Sequence, residues 1–465
     1  MQKLIAKYGL AAHLALLAVA PLFLFPFCSE GKIAAVLLWL SLLAAVWTVL
    51  DPSMLADERL SEARRRVAGS IYRDPLFWAS LTLVVFTGLR AVNTGIALSY
   101  DAESSVWHVS DPLMTVLPGV VGSAGDLPFA AAVALLVLLQ ACRHALGKRA
   151  RMLFLLLASS LAGLSAVLDL AFLRLGFLDA SVLLPVNAGS GCSFAGFAFG
   201  LYLIAGTVAL VAIFEQRWSG AALLPMLAIG GNVLGSFAFA PLHLSAATVP
   251  AALLALAYGL VFARKSFNVT EMLRLVAITL MSLLLGGFLV ALLLPEKELA
   301  GRMAMVVGGR FFPEGFWEVR EALSVVAFKS WVSHLWLGTG VASFPLDFRF
   351  NALAADWELL PRGAKTLANG WWLLLAERGV VGFMFFALPF GFLAFTYVRR
   401  LIGGLFGEGL PHPACLVAPL VFILFVAAGF FDASSLRADV LLATGALASI
   451  SAASFSRRKR GQNGR

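Results

Sequence analysis

Residues able to bind an anion and to move a proton are concentrated in one polar interval of this 465-residue chain, from 296 to 370. Eight basic and eight acidic residues fall in this interval, so its overall charge does not favour an anion. An anion site needs two or three arginines that converge, because a guanidinium can bind phosphate through two hydrogen bonds and keeps its proton.

Three arginines are candidates for such a phosphate clamp. Arg310 and Arg320 precede a glycine-rich element, and Arg90 ends an earlier apolar segment. Each has a structural alternative, since Arg310 and Arg320 can pair with neighbouring glutamates and Arg90 can extend to a membrane interface. Arg378 lies beside Glu377 at the start of another apolar segment, where an ionisable pair is a functional hypothesis by default.

The elements that must position these residues are membrane helices. The chain is 60% hydrophobic and 13% charged, with a mean hydropathy of +0.90, which excludes a water-soluble globule. Its apolar runs reach roughly 18 to 25 residues, enough to cross a bilayer about 30 Å thick. Helices are favoured over a barrel because a spanning segment must pair its own backbone groups and the runs lack period-two alternation.

The chain is therefore predicted to be all-α, with about twelve transmembrane helices and one long extracytoplasmic loop that contains short helices. We expect about nine helices in residues 1–295, the loop with the probable active site in 296–370, and the last three helices with a basic tail in 371–465. The predicted spans are 9–27, 33–50, 75–92, 127–143, 152–170, 193–214, 220–240, 244–263, 275–295, 371–396, 414–430 and 438–455.

Orientation follows from the basic residues, which favour the cytoplasmic side of short loops. Placing both termini in the cytoplasm puts 22 of the 35 lysines and arginines on that side. The net charge of +9 then reflects topology and contact with anionic lipid, and nucleic-acid binding is not expected. The first apolar run lacks a small-residue cleavage site after Cys28 and is expected to be a retained helix.

Several other chemistries find no support in the sequence. The four cysteines (Cys28, Cys142, Cys192 and Cys415) have no metal-ligand spacing, although Cys28 and Cys192 both fall near the predicted outer face, where a disulfide is permitted. No nucleotide-binding loop or dinucleotide fingerprint is present. Polar residues in or beside the apolar runs are interpreted as structural: His13, Asn93, Asp169, Arg174, Asn232 and His243.

Within the loop, residues 316–337 carry apolar side chains at helical spacing and are predicted to form an interfacial or re-entrant helix. Simple packing across the mouth of the bundle is the alternative. Gly338-Thr339-Gly340 is expected to end this helix, and alone it is weak evidence for function.

Two stretches of the sequence resemble the O-antigen ligase and O-antigen polymerase superfamily. Residues 334–344 read His-Leu-Trp-Leu-Gly-Thr-Gly-Val-Ala-Ser-Phe, and residues 377–382 read Glu-Arg-Gly-Val-Val-Gly. The superfamily shows a His-Pro stretch leading to Gly-x-Gly-x-x-x-Phe, then a His-Asn pair before a helix with a similar Glu-x-Gly element. The likeness covers about 75 residues, from roughly 310 to 385, and elsewhere extends only to span count and loop position.

The chain departs from that pattern at two positions. Ala368 stands where the His-Asn pair has its histidine, although Asn369 is kept, and Leu335 replaces the usual proline. A histidine there would accept a proton from an incoming hydroxyl. The sequence candidates for this catalytic work are His334, Glu377 and Asn369, with Lys365 as a further neighbour.

The resemblance implies glycosyl transfer without a metal or other cofactor, at the periplasmic face of the bacterial inner membrane. The donor would be a glycan on undecaprenyl diphosphate, and the acceptor a sugar hydroxyl of lipid A-core or of a growing polysaccharide. Arg310, Arg320, Arg90, Lys365 and Arg378 would hold the diphosphate, whose leaving charge needs cationic stabilisation. Ligase and polymerase activities share this chemistry and stay open.

Two other classes of function stay open as well. A membrane transporter or flippase for a lipid-linked solute fits the span number, but the single long loop and the absence of two similar halves disfavour it. A non-catalytic scaffold of polysaccharide export fits the alanine at position 368.

Overall fold

The computed structural model describes residues 2–24, 36, 40, 73–92, 97–101, 106–110, 146, 148–178, 196–215, 223–264, 268–312, 315–340, 343–360, 369–405, 414–431 and 436–452. Helices dominate these residues. Those of the first half are α1 (Gln2–Leu24), α2 (Pro75–Val92), α3 (Lys148–Arg174), α4 (Phe197–Glu215) and a composite α5 made of Leu223–Met226, a π-helical turn at Leu227–Gly231, and Asn232–Phe239.

The second half begins with two long helices, α6 (Leu242–Arg264) and α7 (Val269–Leu293). The predicted loop contains α8 (Glu296–Val307), α9 (Phe316–Ser333), α10 (Phe344–Asn351) and α11 (Ala354–Leu359). The last helices are α12 (Gly370–Leu405), α13 (Ala414–Phe431) and α14 (Ala438–Ala452).

The helical membrane character predicted from composition is confirmed. Within the described residues, five helical segments are long and apolar enough to cross a bilayer: Arg149–Arg174, Leu242–Val261, Val269–Leu293, Gly370–Phe395 and Ala414–Phe431. Shorter apolar helical segments lie at Leu10–Leu24, Pro75–Arg90, Phe197–Leu210, Leu224–Phe239 and Asp439–Ser451. The predicted spans 33–50 and 127–143 lie outside the described residues, apart from positions 36 and 40, so the number twelve stays a prediction.

One element corrects the all-α expectation. Ala97–Asp101 and Val106–Ser110 form strands β1 and β2 of an antiparallel hairpin, in which Ala97 pairs with Ser110. The sequence analysis had no strand here. The residues alternate in part between polar and apolar, as in Ser99, Tyr100 and Asp101, which is the period-two pattern of a strand.

Close backbone contact holds the centre of the bundle together. Gly231 in the π-helical turn lies against Gly163 of α3, and Gly230 lies against Gly286 of α7. A side chain at these positions would collide with main-chain atoms, which is why small residues occur where membrane helices approach closely. Asn232 adds polar bonds, since its side-chain nitrogen donates to the carbonyl oxygen of Ser159 at 2.8 Å.

The contacts also place several helix ends on one face of the bundle. His243 near the start of α6 lies beside Phe431 at the end of α13, with ring centroids 6.4 Å apart. Phe86 of α2 packs on Phe385 of α12, and Phe390 of α12 packs on Phe425 of α13. The C-terminal ends of α2 and α13 and the N-terminal end of α6 therefore share a face, which we call the mouth.

Gly286→Ala is expected to lower the stability of the protein, and the adjacent Gly287→Ala serves as the matched control. A Cβ at Gly286 would lie 2.7 Å from the Gly230 carbonyl oxygen, whereas a Cβ at Gly287 would have no neighbouring heavy atom within 4 Å. Overpacking of this kind costs about 1–3 kcal/mol. A thiol-reactive dye that reports exposure of the buried Cys415 during heating would measure it. Equal melting temperatures for the two variants would contradict the close-contact interpretation.

Candidate functional site

The backbone of α12 breaks at Gly379, which has φ +65° and ψ −174°. The ring of Trp371 lies 6.2 Å from that of Phe386, although fifteen residues of straight helix would separate them by roughly 22 Å. The segments 370–378 and 380–405 are therefore two half-helices, folded against each other. This break leaves main-chain groups without intrahelical partners where the neighbouring Glu377 and Arg378 are buried in the protein.

The glycine-rich turn after α9 supplies those partners. The amides of Thr339 and Gly340 donate to the carbonyl oxygens of Ala376 and Glu377, at 2.9 and 3.0 Å. In the reverse direction, the amides of Val380 and Val381 donate to the carbonyl oxygens of residues 335 and 336, at 3.0 and 3.1 Å. We call this set of four hydrogen bonds the clasp.

The glycines of both sequence motifs are required by the clasp. Gly338 has φ +71°, and a Cβ there would meet the main chain of Glu377 and Arg378. A Cβ at Gly379 would meet the main chain of Trp336 and residue 337. The glycines of these two stretches are thus explained by main-chain geometry.

Arg90 locks the clasp to α2. Its side chain is 1% exposed, and two of its nitrogens donate to the carbonyl oxygens of Leu337 and Glu377, at 2.6 and 3.0 Å. The Glu377 carbonyl lies at the C-terminal end of the 370–378 half-helix, where a positive charge is favourable. Arg90 was predicted to bind diphosphate; the structure gives it a structural partner instead of an open position, and the diphosphate role stays a prediction.

Other predicted site residues lie in or near the same region. Glu377 and Arg378 are both buried. Asn369 is buried at the start of α12, where its side-chain oxygen accepts hydrogen bonds from the amides of Trp371 and Trp372 at 3.1 and 3.2 Å. Asn369 is therefore a helix N-cap, a role that its residue type favours. Lys365, with Ala368, lies outside the described residues.

A hydroxyl and carboxylate cluster sits beside the clasp. The Thr339 hydroxyl donates to Asp347 Oδ2 at 2.8 Å, and the Ser343 hydroxyl lies 3.2 Å from the same oxygen. Burial raises the pKa of Asp347, while these two hydroxyls and the nearby exposed His334 act in the opposite direction. Asp347 was not among the predicted site residues, although the four-residue spacing from Ser343 places both side chains on one side of a helical turn.

A second group of side chains lies at the mouth, and we call it the rim cluster. It consists of His243, Phe312, Phe316, Trp317, Arg320 and Phe431. The Arg320 guanidinium carbon lies 5.3 Å from the ring centres of both Trp317 and Phe431. Burial lowers the pKa of Arg320, yet an arginine remains a cation at neutral pH.

The imidazole of His243 stacks on Phe312 at 4.9 Å and an interplanar angle of 18°. Its Nε2 is buried and has no hydrogen-bond partner among the described residues. The sequence analysis interpreted His243 as structural. Its place among the rim residues, which come from α6, α9, α13 and the segment before α9, could not be read from a single run of sequence.

The predicted residues thus fall into separate places. Arg310 is exposed after α8, where its amide donates to the Met305 carbonyl at 2.8 Å, two residues before Phe312. Arg320 and His334 lie at opposite ends of α9, fourteen residues apart, which is roughly 21 Å along a helix. One reacting sugar carbon cannot contact both side chains.

Arg302 is a buried arginine whose place the sequence analysis did not anticipate. It extends from α8 into the end of α5, where one nitrogen donates to the carbonyl oxygens of Phe237 and Ala240, the latter at 3.1 Å. Its guanidinium carbon also lies 5.9 Å from the Phe237 ring centre. Arg302 therefore fixes the start of the loop to the mouth.

Comparison with known proteins does not assign the chain to a family. No family model matches it, and no curated protein shows significant similarity to it. In the part of the chain that the structure describes, no three His, Cys, Asp or Glu side chains come together as a metal site would require.

Gly379→Ala should disrupt the clasp, with Gly391→Ala on the same helix as control. The first substitution places a Cβ against the Trp336 carbonyl and forces alanine into a positive φ, whereas nothing lies within 4 Å of a Cβ at Gly391. We expect a loss of about 2–4 kcal/mol in unfolding free energy, as for backbone strain plus overpacking. Thermal unfolding in detergent measures it. Tolerance of both substitutions alike would show that the clasp is dispensable.

Asn369→Ala is expected to cost about 1 kcal/mol, because α12 loses its N-cap, while Asn369→Asp should retain stability. The measurement is the melting temperature of each variant, with hydrogen exchange at the amides of Trp371 and Trp372 as a local readout. If Asp and Ala were equally destabilising, capping would not be the role of this side chain.

Proposed function

We propose that the protein transfers a glycan from an undecaprenyl-diphosphate carrier to a sugar hydroxyl at the periplasmic face of the inner membrane. The observation that carries the proposal is the position of Arg320. It is a half-buried cation at the mouth of a membrane bundle, held against two aromatic rings. A diphosphate on an isoprenoid lipid presents its charge at this depth, with apolar chain below and sugar above.

The reaction needs little from the protein beyond charge and position. The acceptor oxygen forms a bond to the anomeric carbon, the bond from that carbon to the diphosphate oxygen breaks, and the diphosphate leaves with the electron pair. A guanidinium stabilises this leaving charge more strongly in a partly desolvated site than in water. Arg320 takes this role, and the exposed Arg310, two residues from the rim residue Phe312, supports it.

The proton of the sugar hydroxyl needs a base near the same end of α9 as Arg320. His334 lies at the other end of that helix, whereas the imidazole of His243 belongs to the rim cluster. In the tautomer that carries its hydrogen on Nδ1, the His243 Nε2 has a lone pair for the proton, and this nitrogen has no hydrogen-bond partner among the residues that are described. The acceptor must displace the stacked Phe312 ring to reach it.

Further support comes from the two motif stretches of the superfamily resemblance. They are distant in the sequence of this chain, yet the clasp joins them through four main-chain hydrogen bonds. Two motifs that make one backbone unit favour a shared architecture over a chance likeness of short segments. In this proposal the two motif stretches have a structural role, and the reactive groups lie elsewhere at the mouth.

The test is glycan transfer by the purified full-length protein in lipid nanodiscs, with an undecaprenyl-diphosphate glycan and candidate sugar acceptors. Arg320→Ala should reduce the rate about 100-fold, the cost of removing one charge-stabilising donor. Arg320→Lys should recover part of the rate, because the charge returns without the planar pair of donors. The matched control is Arg349→Ala, which removes an exposed arginine of α10 outside the rim cluster.

Three outcomes would overturn parts of this proposal. Undiminished transfer by Arg320→Ala would remove the diphosphate assignment. Movement of a lipid-linked solute across vesicles, with no product from any acceptor, would replace transfer by transport. Neither transfer nor transport, with stable retention of polysaccharide-export proteins, would support the scaffold alternative.

A further inference from the structure

One side of α9 is apolar and uncovered. Its exposed large side chains, continued into the following turn, are Trp317 (54% exposed), Val325 (43%), Phe328 (47%), Val332 (54%), Leu335 (38%) and Trp336 (66%). Val325, Phe328 and Val332 are three and four residues apart, which brings them to one side of the helix, and Trp317 lies on the same side two turns earlier. The exposed Glu321, between Trp317 and Val325, also lies on this side, and Leu335 and Trp336 continue it beyond Ser333. We call this surface the α9 outer face.

The opposite side of α9 is already buried in protein. Leu323, Val326 and Ala327 are fully buried, and they pack with Phe344 and Phe348 of α10. The helix therefore has an apolar side toward the protein and a second apolar side away from it. In water, a contiguous exposed apolar patch would favour association with other molecules.

The position of α9 identifies what lies beyond the outer face. Near its start, Arg320 contacts Phe431 at the end of α13, and just after its end the clasp receives Arg90 at the end of α2. Both contacts are at the mouth, because α2 and α13 end there. The eighteen residues of α9 thus extend about 27 Å along the mouth rather than down through the bundle.

We propose that the α9 outer face lies in the lipid of the leaflet at the mouth, in contact with acyl chains. The predicted alternatives for this segment were an interfacial or a re-entrant helix, and the geometry points to the interfacial one. This inference rests on the membrane character of the chain and not on glycosyl transfer.

Three features favour lipid over a protein partner. The same pattern of large exposed side chains occurs on the membrane-spanning α7, for instance at Leu284 (68%) and Phe288 (63%). Tryptophans lie at both ends of the outer face, Trp317 and Trp336, and this residue prefers the level of the headgroups. The exposed charges of the helix are near its start, at Glu318 and Glu321, where they can stay in the headgroup layer.

An interfacial α9 would also set the depth of the rim cluster. Arg320 is one turn from Trp317 on the same helix, so anchoring that tryptophan holds the guanidinium at the level of lipid phosphates. The structure thereby links a lipid-contact surface to the orientation of a cation at the mouth.

Spin-label accessibility tests the inference. The full chain, with Cys28, Cys142, Cys192 and Cys415 replaced by alanine, would carry a single nitroxide at Phe328→Cys or Val332→Cys in vesicles of phosphatidylethanolamine and phosphatidylglycerol. Leu284→Cys on α7 is the lipid-facing control, and Glu358→Cys, on the exposed part of α11, is the water-facing control. Melting temperature confirms that each variant is folded.

Labels at 328 and 332 should collide with oxygen several-fold more often than with a water-soluble nickel chelate, as at position 284, and the label at 358 should show the reverse. Nickel accessibility at 328 and 332 equal to that at 358 would place the outer face in water and overturn the inference. Protection from both agents would also overturn it, and cross-linking between copies would then identify the face as a protein interface. Glycan transfer is not measured here, so failure of this test is distinct from failure of the proposed function.

Discussion

Main-chain groups that lose their helical partners within a membrane bundle must find others, and this constraint organises the mouth of the protein. The break at Gly379 is tolerated because the turn at 335–340 supplies both donors and acceptors to the two half-helices. Arg302 meets the same need at carbonyl groups near the end of α5. Arg90 donates to the Leu337 carbonyl and is a second donor to the Glu377 carbonyl of the clasp. Hydrogen bonds from these cations satisfy carbonyl groups that would otherwise be unpaired in a medium of low polarity.

The arginines of this chain therefore serve different purposes that residue type alone does not distinguish. Arg90 and Arg302 are buried and donate to main-chain oxygens, whereas Arg320 is half-buried against two aromatic rings. The first pair stabilises the scaffold. Arg320 is a cation at the mouth, and it is the residue to which the proposed function assigns the anionic ligand.

The sequence was sufficient for the parts of the fold that depend on length and hydropathy. Helical membrane segments were predicted from apolar runs, and 3.6-residue periodicity predicted a helix over 316–337 that the structure has over Phe316–Ser333. The rim cluster was beyond reach because His243, Arg320 and Phe431 are far apart in the chain and meet only through the packing of three helices. Asn369 shows the converse difficulty: it was noticed for its place in a motif, but its hydrogen bonds are those of a helix cap.

The bonds of Arg90 also bear on how the chain is made. Its two carbonyl partners follow it by 247 and 287 residues. At a synthesis rate of about 5–20 residues per second, the second partner leaves the ribosome roughly 15–60 s after Arg90. Until then the hydrogen bond to the Glu377 carbonyl cannot form, and an arginine in the hydrocarbon of a bilayer costs up to about 3 kcal/mol. These two hydrogen bonds therefore form only after most of the chain has been translated.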